Sequence, residues 1–249
     1  HDDIIDNSFV RRGQPTTNST WNNAITVISG DFMFARAAIN LGLIGINQIT
    51  TIYAQVLEDL CDGEIWQAER KFNTELDYEF YLTKTFKKTA SLFEAACKAS
   101  SIICNASSKQ VIAAAEYGRN LGMAFQIVDD ILDYTEAPET LGKPALADLK
   151  EGHLTLPILI CLENFKTLNE EKYNELINLI NLVKENPDDS SEYLSKIKDL
   201  VLEADAINKS FDYAIKFTNN AKNVLDAFDN GEAKKILEDL LIFTTQRKS

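Results

Sequence analysis

SKQVIAAAEYGRNLGMAFQIVDDILDY, residues 108–134, decides the fold of this chain. Its apolar residues recur at the three-to-four spacing of a helix, and the stretch is rich in alanine and leucine, so it reads as one long helix. Near its end Phe125, Ile127, Val128, Ile131 and Leu132 surround three aspartates, Asp129, Asp130 and Asp133. Acids in so apolar a setting stay neutral or bind cations, because an isolated buried charge is very costly.

The same period runs outward in both directions. NQITTIYAQVLEDLCDGEIWQAERKF, residues 47–72, places Ile49, Ile52, Tyr53, Val56, Leu60 and Ile65 on one stripe. DYEFYLTKTFKKTASLFEAACKASSII, residues 77–103, has the same character. After GHLTLPILICLENF (residues 152–165), further helices are predicted around 169–185, 191–206, 207–228 and 231–246, separated by the turn-forming ENPDDSS and DNGE. Alternation of period two is sustained nowhere. The expected fold is all-α, a bundle of long helices, with its site built between facing helices.

At 249 residues with 45% apolar content, the chain can bury a substantial core. No Gly/Ser-rich or Pro-rich linker divides it, so one domain over 1–249 is expected. A net charge of −13 excludes the electropositive footprint of a nucleic-acid binder. Cys61, Cys97, Cys104 and Cys161 form no C-x-x-C pair and the only histidines are His1 and His153, so buried, reduced thiols in a cytosolic or organellar-matrix setting are expected. The longest apolar stretch, residues 24–46, is interrupted by Asp31 and Arg36, so no membrane span is expected.

A second aspartate cluster opens the chain in HDDIIDNSFVRRG. On a helix, positions four apart return to the same face within roughly 40°. Asp2 and Asp6 therefore point together, as do Asp129 and Asp133, with Asp3 and Asp130 set aside by about a third of a turn. One such cluster is as readily a solvated helix face, but two are harder to explain that way. Carboxylates without histidine or thiolate suit Mg²⁺, which takes one or two carboxylates together with waters and substrate phosphates. Bound cations invert the local field, so an acidic protein can still take a diphosphate. Arg11 and Arg12 trail the first cluster and Lys143 trails the second, as phosphate partners would.

DDIIDNSFVRRG and FQIVDDILDYTEAPETLGKPALADLKEGHLTLP resemble the two aspartate-rich motifs of the trans-isoprenyl diphosphate synthases, or polyprenyl synthetases. SGDFMFARA, GEIWQ and FKKTASL fall in order between them. The resemblance implies an all-α isoprenoid synthase type I fold of mostly antiparallel helices around a central cavity, with a homodimer as the usual assembly. It also implies a prenyltransferase that condenses isopentenyl diphosphate head-to-tail onto an allylic prenyl diphosphate. Carried over by motif, Asp2, Asp3 and Asp6 would ligate Mg²⁺ from one side and Asp129 and Asp133 from the other, with three ions when substrate is bound. Arg11, Lys143 and Asp130 would serve the allylic diphosphate, and Arg12 would reach isopentenyl diphosphate. Lys88 would hold the leaving diphosphate, while Thr89 and Gln126 would face the allylic cation. His153 stands where some members carry lysine, as a minor phosphate contact or a plain loop residue.

The family usually has a longer segment before the first motif, including a Gly-Lys-x-x-x-Arg-type site for isopentenyl diphosphate, so a chain lacking its N-terminal helices is expected. Two residues separate the second and third aspartates of the first motif. That spacing resembles long-chain synthases making quinone side chains, and leaves archaeal-type geranylgeranyl diphosphate synthases open. A class I terpene cyclase would replace the second cluster with an Asn/Ser/Glu triad, and a noncatalytic partner subunit would commonly lose a cluster. A lipid product would bring peripheral membrane contact.

Overall fold

The computed structural model describes residues 1–11, 13–135 and 146–247, so Arg12 and Lys143 lie outside the described residues. The described residues are overwhelmingly helical, and their contacts divide the chain into two compact units, His1–Ala54 and Gln55–Ser249.

The first unit begins with α1 (Asp2–Ile5), followed by a two-stranded hairpin, β1 (Val10–Arg11) and β2 (Gln14–Pro15). Pairing Val10 with Pro15 and Arg11 with Gln14 needs a tight turn, and Gly13 supplies it at φ 72°. Two helices follow, α2 (Thr17–Thr20) and α3 (Asn23–Leu43). Asn22 caps α3 by accepting from the Ile25 N–H at 2.9 Å. Over an 18-residue window α3 reaches a mean hydropathy of 1.3, long and apolar enough by length and composition to cross a membrane, although Asp31 and Arg36 lie within it.

α4 (Asn47–Glu69) follows. Ile49 and Val56 of its expected stripe are buried, but Ile65 is 55% exposed, so the apolar face does not run the full length. The stretch expected as one helix over 77–103 is α5 (Tyr78–Thr85), a π-helical turn over Phe86–Ala90, and α6 (Ser91–Ile103). A π turn inserts an extra residue without breaking helical continuity, so a periodicity count does not register it. It holds Lys87, Lys88 and Thr89.

α7 (Ser108–Thr135) is the central helix of the second unit. From Leu121 to Tyr134 most of its positions are buried, the signature of a helix covered on nearly all sides. It packs on α6 and the π turn, and the chain then continues through α8 (Ala147–Lys150), α9 (Leu156–Leu168), α10 (Glu170–Glu185), α11 (Ser191–Glu203), α12 (Ala206–Val224) and α13 (Glu232–Gln246). Ile127, Val128 and Ile131 join Leu156, Ile180 and Ile197 in the main core, and a smaller core gathers Tyr117, Leu121, Leu225 and Leu241. All four cysteines are free; Cys161 is buried, whereas Cys61 and Cys104 are exposed, contrary to the burial expected of them.

The approach of α7 to α6 and the π turn depends on two glycines four residues apart. A Cβ on Gly118 would lie 2.3 Å from the Phe93 carbonyl oxygen, and one on Gly122 would lie 2.6 Å from the Ala90 Cα. Both obstacles are backbone, so the helices would have to separate. Gly118→Ala is expected to cost about 3 kcal/mol through overpacking, read as a lower urea midpoint; an unchanged midpoint would show that the crossing tolerates the extra carbon.

Candidate active site

α7 delivers its aspartates to different environments. Asp129 is exposed, whereas Asp130 and Asp133 are 2% and 1% exposed. The i, i+4 reading grouped Asp129 with Asp133, but burial separates them. Asp133 lies under the start of α8, where its Oδ2 accepts from the Asp148 N–H at 3.3 Å and its carbonyl accepts from the Leu146 N–H at 3.1 Å.

Asp130 anchors a hydrogen-bonded thread across three elements. Tyr81 on α5 donates its hydroxyl to Asp130 Oδ2 at 2.7 Å, and Gln126, one turn earlier on α7, donates Nε2 to Oδ1 at 2.9 Å. Thr89 of the π turn donates its hydroxyl to Gln126 Oε1 at 2.7 Å. The sequence-expected pair Thr89 and Gln126 is thus in direct contact. Burial pushes the Asp130 carboxyl up to about 6, against the pull of nearby Lys84 and of its two hydrogen bonds, and with a further upward push from Asp148. Burial likewise pushes Lys84 below its usual value, partly opposed by Asp130 and Asp148.

The π turn spreads two consecutive lysines onto α4. Lys88 Nζ lies 2.8 Å from Glu64, and Lys87 Nζ lies 3.1 Å from Asp59 and 3.0 Å from Asp62, above the Trp66 ring. Gly63 permits this, since a Cβ there would stand 3.2 Å from the Lys88 nitrogen. Sequence reasoning missed these acids; the only signal was their clustering in EDLCDGE ahead of GEIWQ.

It missed Arg247 entirely. From just beyond α13, the Arg247 Nη2 donates to Asp129 Oδ1 at 2.9 Å and to the Phe125 carbonyl at 2.8 Å, with the guanidinium 3.9 Å above the Phe125 ring. Its side chain is 9% exposed and that of Asp129 is 49% exposed. The arginine is therefore the fixed member of the pair, and the carboxylate keeps an open side.

Beside Tyr81 and Lys84 lies a cleft lined by Gln67, Arg70, Asp77 and His153. His153 Nε2 is 3.1 Å from Gln67 Nε2 and 3.6 Å from Glu151. Arg70 pairs with Asp77 at 2.7 Å and lies 4.3 Å above the Phe80 ring.

In the first unit, the Asp6 N–H donates to the Asp2 carbonyl at 2.8 Å, so the two residues keep helical register even though α1 ends at Ile5. Arg11 on β1 donates to Asp3 Oδ1 at 3.1 Å. Asn18 and Thr16 tie the intervening loop by donating to the Ser8 carbonyl.

Among the described residues no group of three or more His, Cys, Asp or Glu side chains is close enough to cage a metal unaided. The donors that are present, hard carboxylate oxygens with Asp129 open on one side, fit Mg²⁺ held jointly with waters and phosphate oxygens rather than an ion wanting nitrogen or sulfur.

Asp77 caps α5 by accepting from the Phe80 N–H at 2.8 Å, and this bond, followed by that from Arg70, holds its carboxyl below the usual range. Asp77→Ala is expected to cost about 1 kcal/mol at neutral pH, with little from the exposed ion pair. Because the folded value lies below the unfolded one of about 3.9, the contribution is present above that pH and disappears as pH falls through the folded value. Denaturation curves of parent and variant should converge in acid; a gap that persists there would refute the ionised cap.

Residues 1–197 match the family model described as Polyprenyl synthetase. The prenyl transferase of Cyanophora paradoxa is 37% identical over 247 residues, covering 99% of this chain and 73% of the relative. Decaprenyl-diphosphate synthase subunit 1 of Schizosaccharomyces pombe is 36% identical over 243 residues, 95% of this chain and 61% of the relative. Among solved structures, a polyprenyl synthase from Caulobacter crescentus complexed with calcium and isoprenyl diphosphate superposes with a TM-score of 0.89 at 31% identity, covering 100% of this chain and 74% of that one.

Proposed function

This chain belongs to the polyprenyl synthetase family, and on that premise we propose that it is a Mg²⁺-dependent prenyltransferase making a long-chain all-trans-polyprenyl diphosphate for quinone side chains. It condenses isopentenyl diphosphate head-to-tail onto an allylic primer, farnesyl or geranylgeranyl diphosphate. The observation that carries this reading is the thread from Thr89 through Gln126 to Asp130, next to the open carboxylate of Asp129. The solved relative that holds calcium and an isoprenyl diphosphate supports a divalent cation together with that substrate class.

In this reading Asp2, Asp3 and Asp6 of the first unit would serve as Mg²⁺ ligands, as would the open Asp129 of the second, with the buried Asp133 acting through water. When bound, Mg²⁺ supplies charge stabilisation for the departing diphosphate. The Lys88 ammonium, exchanging Glu64 for a phosphate oxygen, stabilises the same developing charge, more in the transition state than in the ground state. Arg11 and Lys143 grip the allylic diphosphate, and Arg12 reaches the second substrate. The oxygens of Thr89 and Gln126 face the allylic cation. The π bond of isopentenyl diphosphate then attacks its C1, and proton loss to the released diphosphate regenerates an allylic product.

The direct test is incubation of the full-length protein with labelled isopentenyl diphosphate, Mg²⁺ and each allylic primer, followed by mass spectrometry. Products in the hexaprenyl-to-decaprenyl range, abolished by EDTA, are expected. A stop at geranylgeranyl diphosphate selects the shorter-chain alternative, and no elongation with any primer selects a noncatalytic subunit of a heteromeric synthase.

Two variants probe the acids. Asp129→Ala is expected to lower turnover on the order of 10³-fold while leaving helical circular dichroism intact; activity near that of the parent would falsify the metal role. Arg247→Met removes the group that orients Asp129, and is expected to lower turnover at saturating Mg²⁺ about 10-fold. Parental turnover would reduce Arg247 to a packing residue.

A further inference from the structure

One buried group next to the proposed chemistry has no role in it. Tyr81 is 2% exposed and sits on α5, and its hydroxyl donates its proton to Asp130 Oδ2. An amide side chain has two ends of nearly the same shape and opposite polarity, so its neighbours decide which end points where. Here Asp130 accepts on both oxygens, from Tyr81 on one and from Gln126 on the other. Facing an acceptor, Gln126 must present its NH₂, and its carbonyl oxygen is left pointing to the Thr89 hydroxyl. Were the amide turned around, the partly positive NH₂ would be directed toward the place where a cation forms. Electrostatic preorganisation depends on that sign.

We propose that Tyr81 is a positioning residue: by holding Asp130 Oδ2 it keeps Oδ1 for Gln126 Nε2, and so fixes the Gln126 carbonyl toward the reacting carbon. The inference rests on the proposed role of Gln126 beside the allylic cation. The plainer alternative is that Tyr81 fills the core and satisfies a buried carboxylate. The two differ in how its effect combines with loss of Gln126.

A double-mutant cycle in the full-length protein separates them. Tyr81→Phe keeps the ring and is expected to lower kcat about 10-fold, a misorientation effect, with KM for both diphosphates changed by less than about 2-fold. Interactions that act as a unit are non-additive, so in a Gln126→Ala background Tyr81→Phe is expected to change kcat by less than about 2-fold. An unchanged kcat in Tyr81→Phe, a rise in KM that accounts for its loss of efficiency, or a full 10-fold effect on top of Gln126→Ala would each overturn the proposal. Parental turnover in Gln126→Ala alone would instead overturn the catalytic reading on which it rests, and with it the task assigned to Tyr81.

Should Tyr81→Phe fail to fold, the parent protein decides. With ¹⁵N-labelled glutamine, the Gln126 NH₂ protons, assigned by their loss in Gln126→Ala, are expected to be shifted by the carboxylate and protected from exchange with water. An ordinary, rapidly exchanging NH₂ pair would overturn the fixed orientation.

Discussion

The burial of the Asp130 carboxyl is the constraint from which the rest of the site follows. A carboxylate removed from water costs several kcal/mol unless hydrogen bonds and opposite charge offset it. At 2% exposure Asp130 has no solvent to rely on, so α5 must bring Tyr81 and α7 must turn Gln126 inward. Gln126 in turn engages Thr89, which fixes where the π turn lies against α7. The glycine seam at Gly118 and Gly122 lets α7 approach the Phe93 and Ala90 backbone closely enough for these short bonds. Packing and polarity therefore specify the same arrangement, and neither alone would place Thr89 within 2.7 Å of Gln126.

The helical periods of residues 108–134 and of the segments after 152 were legible because each buries a face over several turns. α10 and α13 keep close to their expected bounds beside the turns ENPDDSS and DNGE, whereas α11 ends at Glu203 and α12 at Val224, short of the expected 206 and 228. The π turn at Phe86–Ala90 was not legible, since one extra residue in a turn leaves the apolar period nearly intact on either side. The exposure of Ile65 has a related origin: a period shows that a stripe exists, not how far a neighbour covers it.

Within the site, residue identity was legible and environment was not. The spacing of Asp129, Asp130 and Asp133 reads from the sequence, but their division into one exposed and two buried acids depends on what α8 and α5 lay over them. Arg247 was invisible because its partner is 118 residues away and nothing local distinguishes it from a terminal surface arginine. Lys87 and Lys88 look interchangeable in the sequence, yet the wide turn sends one to Asp59 and Asp62 and the other to Glu64.

Counter-charges give the second unit a common electrostatic character. Lys88 is paired with Glu64, and Asp129 is paired with Arg247. An anionic ligand alone would have to take Lys88 from Glu64 and then face that carboxylate and the overall charge of −13. A divalent cation alone would approach Asp129 against the fixed guanidinium of Arg247. A diphosphate carrying its cations brings both signs together, so the phosphate oxygens can satisfy the lysine while the cations satisfy the carboxylates. Attraction between opposite charges strengthens as water is excluded, which favours joint binding over either component separately. On the proposed function, a chain of this net charge can thus admit a highly anionic substrate when substrate and cation arrive as one ligand.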